Sequence, residues 1–305
     1  MTSLKFTLEY PSEIPSAPDD FLLPDVVRAV ATAAETAGFS AVALSEHPAP
    51  SAKWRDNGGH NTLDPIAALG FMAAATSTIR LLTNLIVLPF HNPYQIAKSL
   101  TSLDILSGGR LITGVGAGYL RSEFSAVGVE FEDRARLFDE ALDAITSIWT
   151  DPATPVSGDG WAATSELWLQ RPVQTPHPPI WICGNSRAAL RRVVAHGAGW
   201  MPLITPKVFA SVIRTRAIET PEQFSEILTG LRADLAATGR DPDELDVQIV
   251  LPHTDLDDAA AVRAAREYLA DLRRRGATWV VIHVDGSSPE AAVDYIFRAP
   301  DVLFG

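Results

Sequence analysis

Glu46 and His47 are the side chains of this sequence best suited to acid–base chemistry. They follow residues 41–44, a short apolar run that predicts a buried strand. A histidine titrates near neutral pH, so it can both donate and accept a proton. The other histidines show neither an H-x-H nor an H-E-x-x-H spacing, and the single cysteine excludes a cysteine-rich zinc site. The sequence therefore predicts proton transfer at His47 and no catalytic metal.

Two neighbouring strands carry features that suit a flat ring. Polar Thr83 and Asn84 interrupt the apolar run 81–88. Tyr119 stands where the third glycine of a dinucleotide fingerprint G-x-G-x-x-G would fall, so we reject a Rossmann site. The next apolar run ends in three alternating glycines, which leave backbone without side chains: Gly114, Gly116 and Gly118. Together these features predict a floor on which a planar cofactor lies.

A phosphate site is predicted where the apolar run 180–183 meets the helix pattern 187–196. A helix N-terminus presents free N–H groups and a favourable dipole to an anion. Arg191 and Arg192 add positive charge on the same helix of an acidic protein. The residues at this junction are Gly184, Asn185, Ser186 and Arg187. A plain helix cap is the alternative interpretation.

The order of predicted strands and helices determines whether these candidates meet. Residues 80–119 form a strand, helix, strand unit, which predicts a right-handed parallel crossover. Strands and helices alternate about eight times, which favours a (β/α)₈ TIM barrel of the α/β class, with a doubly wound open sheet as the alternative. In a barrel, functional residues lie at the carboxyl ends of the strands. Four helices are predicted to start at a capping residue followed by proline: Asp64-Pro65, Asn92-Pro93, Thr220-Pro221 and Ser288-Pro289.

Chain length and the positions of proline and glycine predict one domain with an insertion. A chain of 305 residues with 47% hydrophobic composition can bury a large core, so we expect a single domain over 1–305. Proline and glycine interrupt every regular pattern between 151 and 179, which predicts an insertion after the fourth helix. The charged residues just before that helix are expected to make ordinary helix-start contacts: Glu123, Asp133, Arg134 and Arg136.

The chain is acidic, with a formal net charge of −12 and a sequence pI near 5.0. Nucleic acids and anionic membranes bind basic surfaces, so the charge argues against both as partners. The first residues lack a signal-peptide pattern, and no apolar run reaches membrane-spanning length. We therefore expect a cytoplasmic protein.

Motifs over roughly the first two thirds of the chain resemble the bacterial luciferase-like superfamily, and within it the oxidoreductases that use the deazaflavin coenzyme F420. The block Leu-Asp-Ile-Leu-Ser-Gly-Gly-Arg at 103–110 is the most specific of them. The others occur in family order: Ser45-Glu46-His47-Pro48, Thr62-Leu63-Asp64-Pro65, Leu85-Ile86-Val87-Leu88-Pro89, Asn92-Pro93, Gly114 to Gly118 with Glu123-Phe124, and Pro178-Pro179-Ile180-Trp181-Ile182-Cys183-Gly184. The last third matches only in its strand and helix pattern.

The resemblance implies a (β/α)₈ barrel with the flavin ring over the third and fourth strands. It implies that His47 lies near the ring and that the peptide bond between Asn84 and Leu85 is cis. The glycine-rich strand end at 114–118 is expected near the cofactor, and the stretch 184–186 is expected to meet its phosphate.

Two positions depart from the family pattern. Tyr119 stands where the sugar-phosphate dehydrogenases of the superfamily have a glutamate. This difference argues against a sugar phosphate as substrate and makes Tyr119 a catalytic candidate beside Glu46 and His47. Cys183 replaces the first glycine of the pair that usually precedes the phosphate helix, so only Gly184 is carried over.

The expected function is hydride transfer between reduced coenzyme F420 and an unidentified small organic substrate, with His47 handling the coupled proton. An FMN-dependent monooxygenase supplied by a separate flavin reductase is one alternative. A flavin-binding protein without turnover is another. A metal-dependent barrel hydrolase would need clustered ligands that the sequence does not contain. Whether the protein forms a homodimer is left open.

Overall fold

Eight parallel strands close into a barrel in the computed structural model, which describes residues 3–304. Along the barrel wall each strand lies beside its neighbours in chain order, and pairing of the first strand with the last and of the third with the fourth leaves no open edge. The strands are β1 Lys5–Glu9, β2 Ala41–Leu44, β3 Arg80–Thr83, β4 Leu111–Gly116, β5 Ile180–Cys183, β6 Gly199–Met201, β7 Asp246–Val250 and β8 Trp279–Ile282. The (β/α)₈ barrel is confirmed, and the open-sheet alternative is wrong.

One long helix follows each strand and packs on the outside of the barrel, and short helices at Ala52–Asp56, Arg121–Ala126 and Lys207–Val212 lie in the connections after β2, β4 and β6. The helices are α1 Pro24–Thr36, α2 Pro65–Ala75, α3 Pro93–Ser107, α4 Arg134–Thr150, α5 Arg187–His196, α6 Pro221–Ala237, α7 Ala259–Arg274 and α8 Pro289–Leu303. The four predicted cap-and-proline starts are confirmed, since each capping side chain accepts a backbone N–H of the first turn: Asp64, Asn92, Thr220 and Ser288. Helix α3 ends at Gly108, whose φ of 67° is a left-handed conformation that glycine adopts without steric cost.

Side chains fill the bore of the barrel, so it is a packed core and not a channel. The bore contains alanines from β2 and large apolar residues from the other strands: Ala41, Ala43, Leu82, Ile112, Trp181, Met201 and Trp279. Thr7 donates a hydrogen bond to Gln248 across it at 2.8 Å. Functional chemistry is therefore confined to the barrel mouth, by which we mean the carboxyl ends of the strands and the loops after them.

The apolar run 81–88 does not form one strand, contrary to prediction. Strand β3 ends at Thr83, the peptide bond between Asn84 and Leu85 is cis, and pairing resumes only at Ile86–Val87. A short 3₁₀ turn at Leu88–Phe90 then leads into α3. Apolar periodicity alone does not encode such an interruption. The cis bond lies where the resemblance implied it.

Residues 151–179 join α4 to β5 and hold only a two-stranded hairpin, Ser157–Gly158 with Trp161–Ala162. The predicted insertion is therefore found where expected. Asp104 of α3 anchors its end, because the buried carboxylate accepts hydrogen bonds from the backbone N–H groups of Val173 and Gln174 at 2.7 and 3.0 Å. Across residues 3–304, none of the helices combines the length and apolar character needed to span a bilayer.

Candidate functional site

His47 and Glu123 meet at the barrel mouth. His47 lies just beyond β2, and Glu123 lies on the short helix Arg121–Ala126 that follows β4. Nδ1 of His47 is 3.2 Å from Oε2 and 3.3 Å from Oε1 of Glu123, and both side chains are nearly buried. A carboxylate accepts hydrogen bonds, so this contact favours a proton on Nδ1 and leaves Nε2 to exchange a proton.

Packing of the short helix fixes the position of Glu123. The adjacent Phe124 is fully buried, with its ring 4.7 Å from that of Phe90 and 5.1 Å from that of Phe131. Because the aromatic contacts hold the helix against the barrel, the preceding carboxylate stays next to His47. Glu123 is therefore more than the helix-start residue predicted from the sequence.

Three aromatic side chains surround the imidazole of His47. The ring centroids of Trp54, His60 and Tyr119 lie 4.4, 5.4 and 6.4 Å from that of His47. Trp54 Nε1 donates a hydrogen bond to the Tyr119 hydroxyl at 3.2 Å. Burial raises the pKa of Tyr119 above its ordinary value, and the nearby Glu123 raises it further, although the bond from Trp54 acts in the opposite direction. Tyr119 is therefore a neutral hydroxyl at physiological pH.

We call these five residues the His47 cluster: His47, Trp54, His60, Tyr119 and Glu123. Burial lowers the pKa of His60, and the neighbouring His47 acts in the same direction, although a hydrogen-bond contact with the Asn61 carbonyl partly offsets this. His60 is thus a neutral neighbour of His47. The cluster joins the loops after β2 and β4.

Glu46 lies outside this cluster although it precedes His47 in the chain. Its Oε2 accepts the backbone N–H of Val87 at 2.7 Å, and its Oε1 lies 2.7 Å from His91 Nε2. Both oxygens therefore hold the segment after the cis peptide bond. Glu46 and His47 therefore have different contacts: Glu46 holds the segment after β3, whereas His47 contacts Glu123.

A second polar group lies across the mouth, at the ends of β1 and β8. Oε2 of Glu9 is 2.9 Å from His283 Nε2, and Asn84 Nδ2 donates to Glu9 Oε1 at 3.4 Å. Burial opposes ionisation of Glu9, but His283 outweighs it and lowers the pKa of the carboxyl. Nearby Glu13 is buried and close to that charge, and both effects raise its pKa well above the usual range. The mouth thus holds an ion pair and a carboxylic acid.

The three glycines of β4 do not leave an open floor. A Cβ atom at Gly114 would overlap the backbone carbonyl of Thr83. At Gly116 it would lie 2.8 Å from the Leu85 side chain, and at Gly118 it would lie 2.6 Å from the Val87 side chain. Residues of the β3 segment therefore occupy the space that the glycines free. The three glycines thus make room for the β3 segment, with half-buried Leu85 beside Gly116, and their role in binding a cofactor stays a prediction.

Most polar groups at the start of α5 already have partners. Gly184 N–H donates to Met201 O at 3.1 Å, and Asn185 N–H donates to Thr215 Oγ1 at 2.9 Å. The Asn185 amide donates to the carbonyls of Leu203 and Arg216 and accepts the N–H of Leu203, so it ties residues 203–216 to β5. Asn185 is thus a structural residue rather than an available ligand.

The remaining N–H groups at this helix start are few. Ser186 caps α5 by accepting the N–H of Ala189 at 3.1 Å. An anion at this point can therefore reach only the N–H groups of residues 186–188. Burial raises the pKa of the Cys183 thiol to about 12, so it stays a neutral and weak hydrogen-bond donor.

The sequence predicted that the arginines of α5 surround a phosphate, but their side chains lie in different places. Arg192 pairs with Asp139 of α4 at 2.5 Å and is nearly buried. Arg187 and Arg191 line a groove on the outer surface between α5 and α6, together with Asp234 and Arg240. The predicted concentration of these three arginines around a phosphate is therefore wrong.

A different set of arginines converges beside the start of α5. The guanidinium groups of Arg121, Arg134 and Arg214 lie 4.2, 3.9 and 5.1 Å from the ring centroid of Phe131. We call this set the arginine cluster. Arg214 immediately precedes Thr215, the residue bonded to Asn185. The cluster therefore brings positive charge to the β4, β5 and β6 side of the mouth.

The donor set fits an anionic flavin or deazaflavin rather than a metal ion. Within 3–304, no three His, Cys, Asp or Glu side chains come together in a way that could hold a metal. His47 offers a free ring nitrogen at the mouth, and the arginine cluster offers cations for an anionic side chain. The expectation that the protein uses no metal stays a prediction.

A family profile described as luciferase-like monooxygenase matches residues 15–292. The chain belongs to this family. Among the relatives of the chain, one enzyme is named for F420 and another for FMNH₂. The resemblance read from the motifs is thereby confirmed at the level of the family.

Two curated relatives of this luciferase-like chain carry different cofactor names. It is 30% identical over 245 residues to the F420-dependent hydroxymycolic acid dehydrogenase of Mycobacterium tuberculosis, a match covering 79% of the chain and 62% of the relative. It is 31% identical over 179 residues to the FMNH₂-dependent dimethylsulfone monooxygenase of Pseudomonas putida, covering 58% and 47%. The chain thus spans less than two thirds of either relative.

Among solved structures, a monooxygenase from Streptomyces bottropensis superposes with a TM-score of 0.81 at 21% identity, covering 98% of each chain. At this identity the likeness concerns the luciferase-like fold. Fold and family therefore agree, and the cofactor stays open between F420 and FMN.

Proposed function

We propose that the protein is an F420-dependent oxidoreductase that transfers a hydride between the reduced deazaflavin and a small organic substrate. The observation that carries this proposal is His47, whose Nδ1 contacts Glu123 at 3.2 Å while Nε2 stays available at the barrel mouth. Hydride transfer to a carbonyl compound creates an oxyanion that needs a proton, so a positioned acid is required. The family membership supports an oxidoreductase, and one relative at 30% identity is named an F420-dependent dehydrogenase.

His47 and its neighbours would divide the work as follows. When bound, the reduced deazaflavin supplies the hydride. Glu123 holds the imidazole in one orientation, and His47 Nε2 delivers or removes the proton at the substrate oxygen. Trp54 and Tyr119 cover the imidazole and limit the access of water. Leu85, which packs beside Gly116, would supply apolar contact to the ring.

Affinity for the coenzyme should come mainly from the positive side of the mouth. The arginine cluster and the N–H groups of residues 186–188 are the groups suited to the coenzyme's anionic side chain. In a chain of net charge −12, binding of an anion needs such a local concentration of cations.

Titration of the purified protein with oxidised F420 and with FMN, followed by fluorescence, tests the proposal. We expect saturable binding of the deazaflavin that weakens as salt is added, because screening reduces ionic contacts. Oxidation of reduced F420 in the presence of a panel of ketones and aldehydes then tests hydride transfer. Binding of the deazaflavin without any turnover would favour a flavin-binding protein.

The second candidate is an FMN-dependent monooxygenase that receives reduced flavin from a separate reductase. The 31% identity to an FMNH₂-dependent relative supports it, and the N–H groups of residues 186–188 would receive an FMN phosphate as well as the phosphate of the deazaflavin. Tight FMN binding with no affinity for the deazaflavin would reverse the assignment and promote this candidate.

A further inference from the structure

The arginine cluster gathers three cations around one aromatic ring from three separate parts of the chain. Arg121 begins the short helix after β4, Arg134 begins α4, and Arg214 lies between β6 and α6. Glu132 is the carboxylate that pairs with two of them, with Oε1 2.5 Å from Arg121 Nη2 and Oε2 3.7 Å from Arg134 Nη1. Within residues 3–304, Arg214 makes no salt bridge.

Positive charge is therefore in excess at this point of an acidic protein. Burial lowers the pKa of Arg134, and the charges of Arg214 and Arg121 lower it further, although Glu132 partly offsets them. Three guanidinium groups with one carboxylate leave about two positive charges without a partner. Such an excess attracts a further anion.

The backbone at Arg214 provides an independent observation. Its φ of 56° is in the left-handed region, and among the described residues it is the one non-glycine residue with a positive φ. Glycine or asparagine would adopt this conformation more readily, so the presence of arginine indicates that its side chain is used. Hydrogen bonds from Asn185 to Thr215 and to Arg216 hold the segment in place.

The cluster extends from the His47 cluster toward the surface. Phe131 packs against Phe124, whose neighbour Glu123 contacts His47. Side-chain exposure is 26% for Arg134 and rises to 53% for Arg121. A ligand whose reactive part lies at His47 and whose anionic part leaves the barrel would therefore pass over these arginines.

We propose that the arginine cluster binds the carboxylates of the coenzyme's polyglutamate tail. This inference rests on the proposed function. Glu132 already makes the contact expected of a tail glutamate, since its carboxylate touches two of the three guanidinium groups. Arginine suits carboxylates because its planar group can donate two parallel hydrogen bonds. FMN has no tail, so the same cluster would select the deazaflavin over FMN.

Tail length is the variable that tests this assignment. The purified protein is titrated with F420 carrying several glutamates and with the same coenzyme lacking all of them, at low and at moderate salt. We expect the long-tailed form to bind about fivefold tighter or more at low salt, from one or two exposed ion pairs. Added salt should reduce that advantage.

Arg121→Gln and Arg214→Asn remove single charges from the cluster, and asparagine tolerates the left-handed backbone at position 214. Both variants should lose most of the preference for the long tail, while their affinity for the tail-less form should fall much less. Arg191→Gln is the matched control, because it removes the same charge from the outer groove of the adjacent helix. This control should keep the full preference.

The outcomes separate the inference from the proposed function. If the wild type binds both coenzyme forms equally, or if the cluster variants keep the preference, the inference is overturned while the deazaflavin assignment stands. If the wild type binds no form of the deazaflavin, both are overturned. A preference lost equally in Arg191→Gln would indicate a general charge effect and would also overturn it.

Discussion

Oε2 of Glu123 lies 3.2 Å from Nδ1 of His47, which connects the loop after β2 to the loop after β4. Seventy-six positions separate the two residues in the chain, so the sequence around either residue does not predict its contact with the other. The pair resembles other histidine–carboxylate units in its division of roles, with one nitrogen held and the other available. Its position at the barrel mouth makes it the centre of the candidate active site.

Replacing His47 tests whether the imidazole handles the proton. His47→Ala should lower turnover by roughly 10² to 10⁴ and leave the thermal unfolding temperature near that of the wild type. His196→Ala is the matched control, because His196 also lies near a carboxylate, 3.2 Å from Asp143, but on the outer helix α5. A His47→Ala protein that unfolds, with unchanged activity per folded molecule, would show a structural role.

Glu123→Gln tests the positioning role of the carboxylate. The amide has the same size but can present its N–H₂ to Nδ1, which favours the opposite tautomer of His47. We expect turnover to fall by roughly 10- to 1000-fold with little change in coenzyme affinity. Steady-state kinetics and the pH profile of turnover are the measurements. An unchanged pH profile together with wild-type turnover would remove Glu123 from the site.

Asn185 is expected to stabilise the loop after β6 rather than to bind a cofactor. Asn185→Ala removes two donated hydrogen bonds and one accepted one from a fully buried side chain, and leaves the carbonyl groups of Leu203 and Arg216 without that donor. The free energy of unfolding should fall by about 2 to 4 kcal/mol. Urea denaturation measures this loss, and Ser186→Ala serves as the milder control, at about 1 kcal/mol for a lost helix cap.

Stability should depend on pH through Glu35, far from the mouth. Burial opposes its ionisation, but the N–H groups of Ser77, Thr78 and Ile79 all donate to Oε1 and lower the pKa to about 2. Since the folded pKa is below the ordinary value of 4.5, the stabilisation is complete above pH 4.5 and disappears as the pH falls toward 2.

Glu35→Gln should accordingly cost about 1 to 2 kcal/mol at neutral pH, a figure reduced for solvent screening. Urea denaturation at a series of pH values gives the comparison. The difference between variant and wild type should shrink on acidification below 4.5. A constant difference across the series would contradict the assignment.

Two glycines of β4 should differ in their tolerance of a methyl group. Gly114→Ala brings Cβ against the backbone carbonyl of Thr83, which cannot move aside, so we expect a loss of about 3 kcal/mol. Gly116→Ala meets only the Leu85 side chain, which can rotate, so about 1 kcal/mol is expected. Thermal unfolding of both variants gives the comparison, and equal losses would contradict it.

Local signals predicted the framework well. Capping residues followed by proline gave the starts of α2, α3, α6 and α8, because each signal acts within one helical turn. Apolar periodicity did not predict the break after Thr83, because residues 81–88 contain no glycine or proline turn signal near it, and only the resemblance implied the cis bond after Asn84. The packing of the β3 segment against the glycines of β4 was not predicted for a related reason, since occupation of that space depends on the neighbouring strand.

The most specific motif of the chain proves architectural. In the block 103–110, Asp104 holds the end of the insertion. Arg110 donates to the backbone carbonyls of Ala73 and Ile79, which joins α2 and β3 to the start of β4. Such a block identifies the family without touching the mouth.

Residues of the candidate site were found only in part. His47 could be proposed because it follows a predicted strand, and Tyr119 because it departs from the family pattern; the structure brings the two rings together. Glu123 also follows a predicted strand, β4, but its position near a helix start favoured an ordinary helix-start contact. Trp54 lies on the short helix Ala52–Asp56 of the long connection after β2, and Arg214 lies in the long connection after β6, where no local rule links a residue to a distant partner.

The contrast between Gly114 and Gly116 has an evolutionary consequence. A side chain at position 114 meets main-chain atoms, so no replacement elsewhere can make room for it. At position 116 the obstacle is the Leu85 side chain, and a smaller residue at 85 would admit alanine. Across the descendants of a common ancestor, position 114 should therefore stay glycine, whereas positions 85 and 116 should covary as a pair.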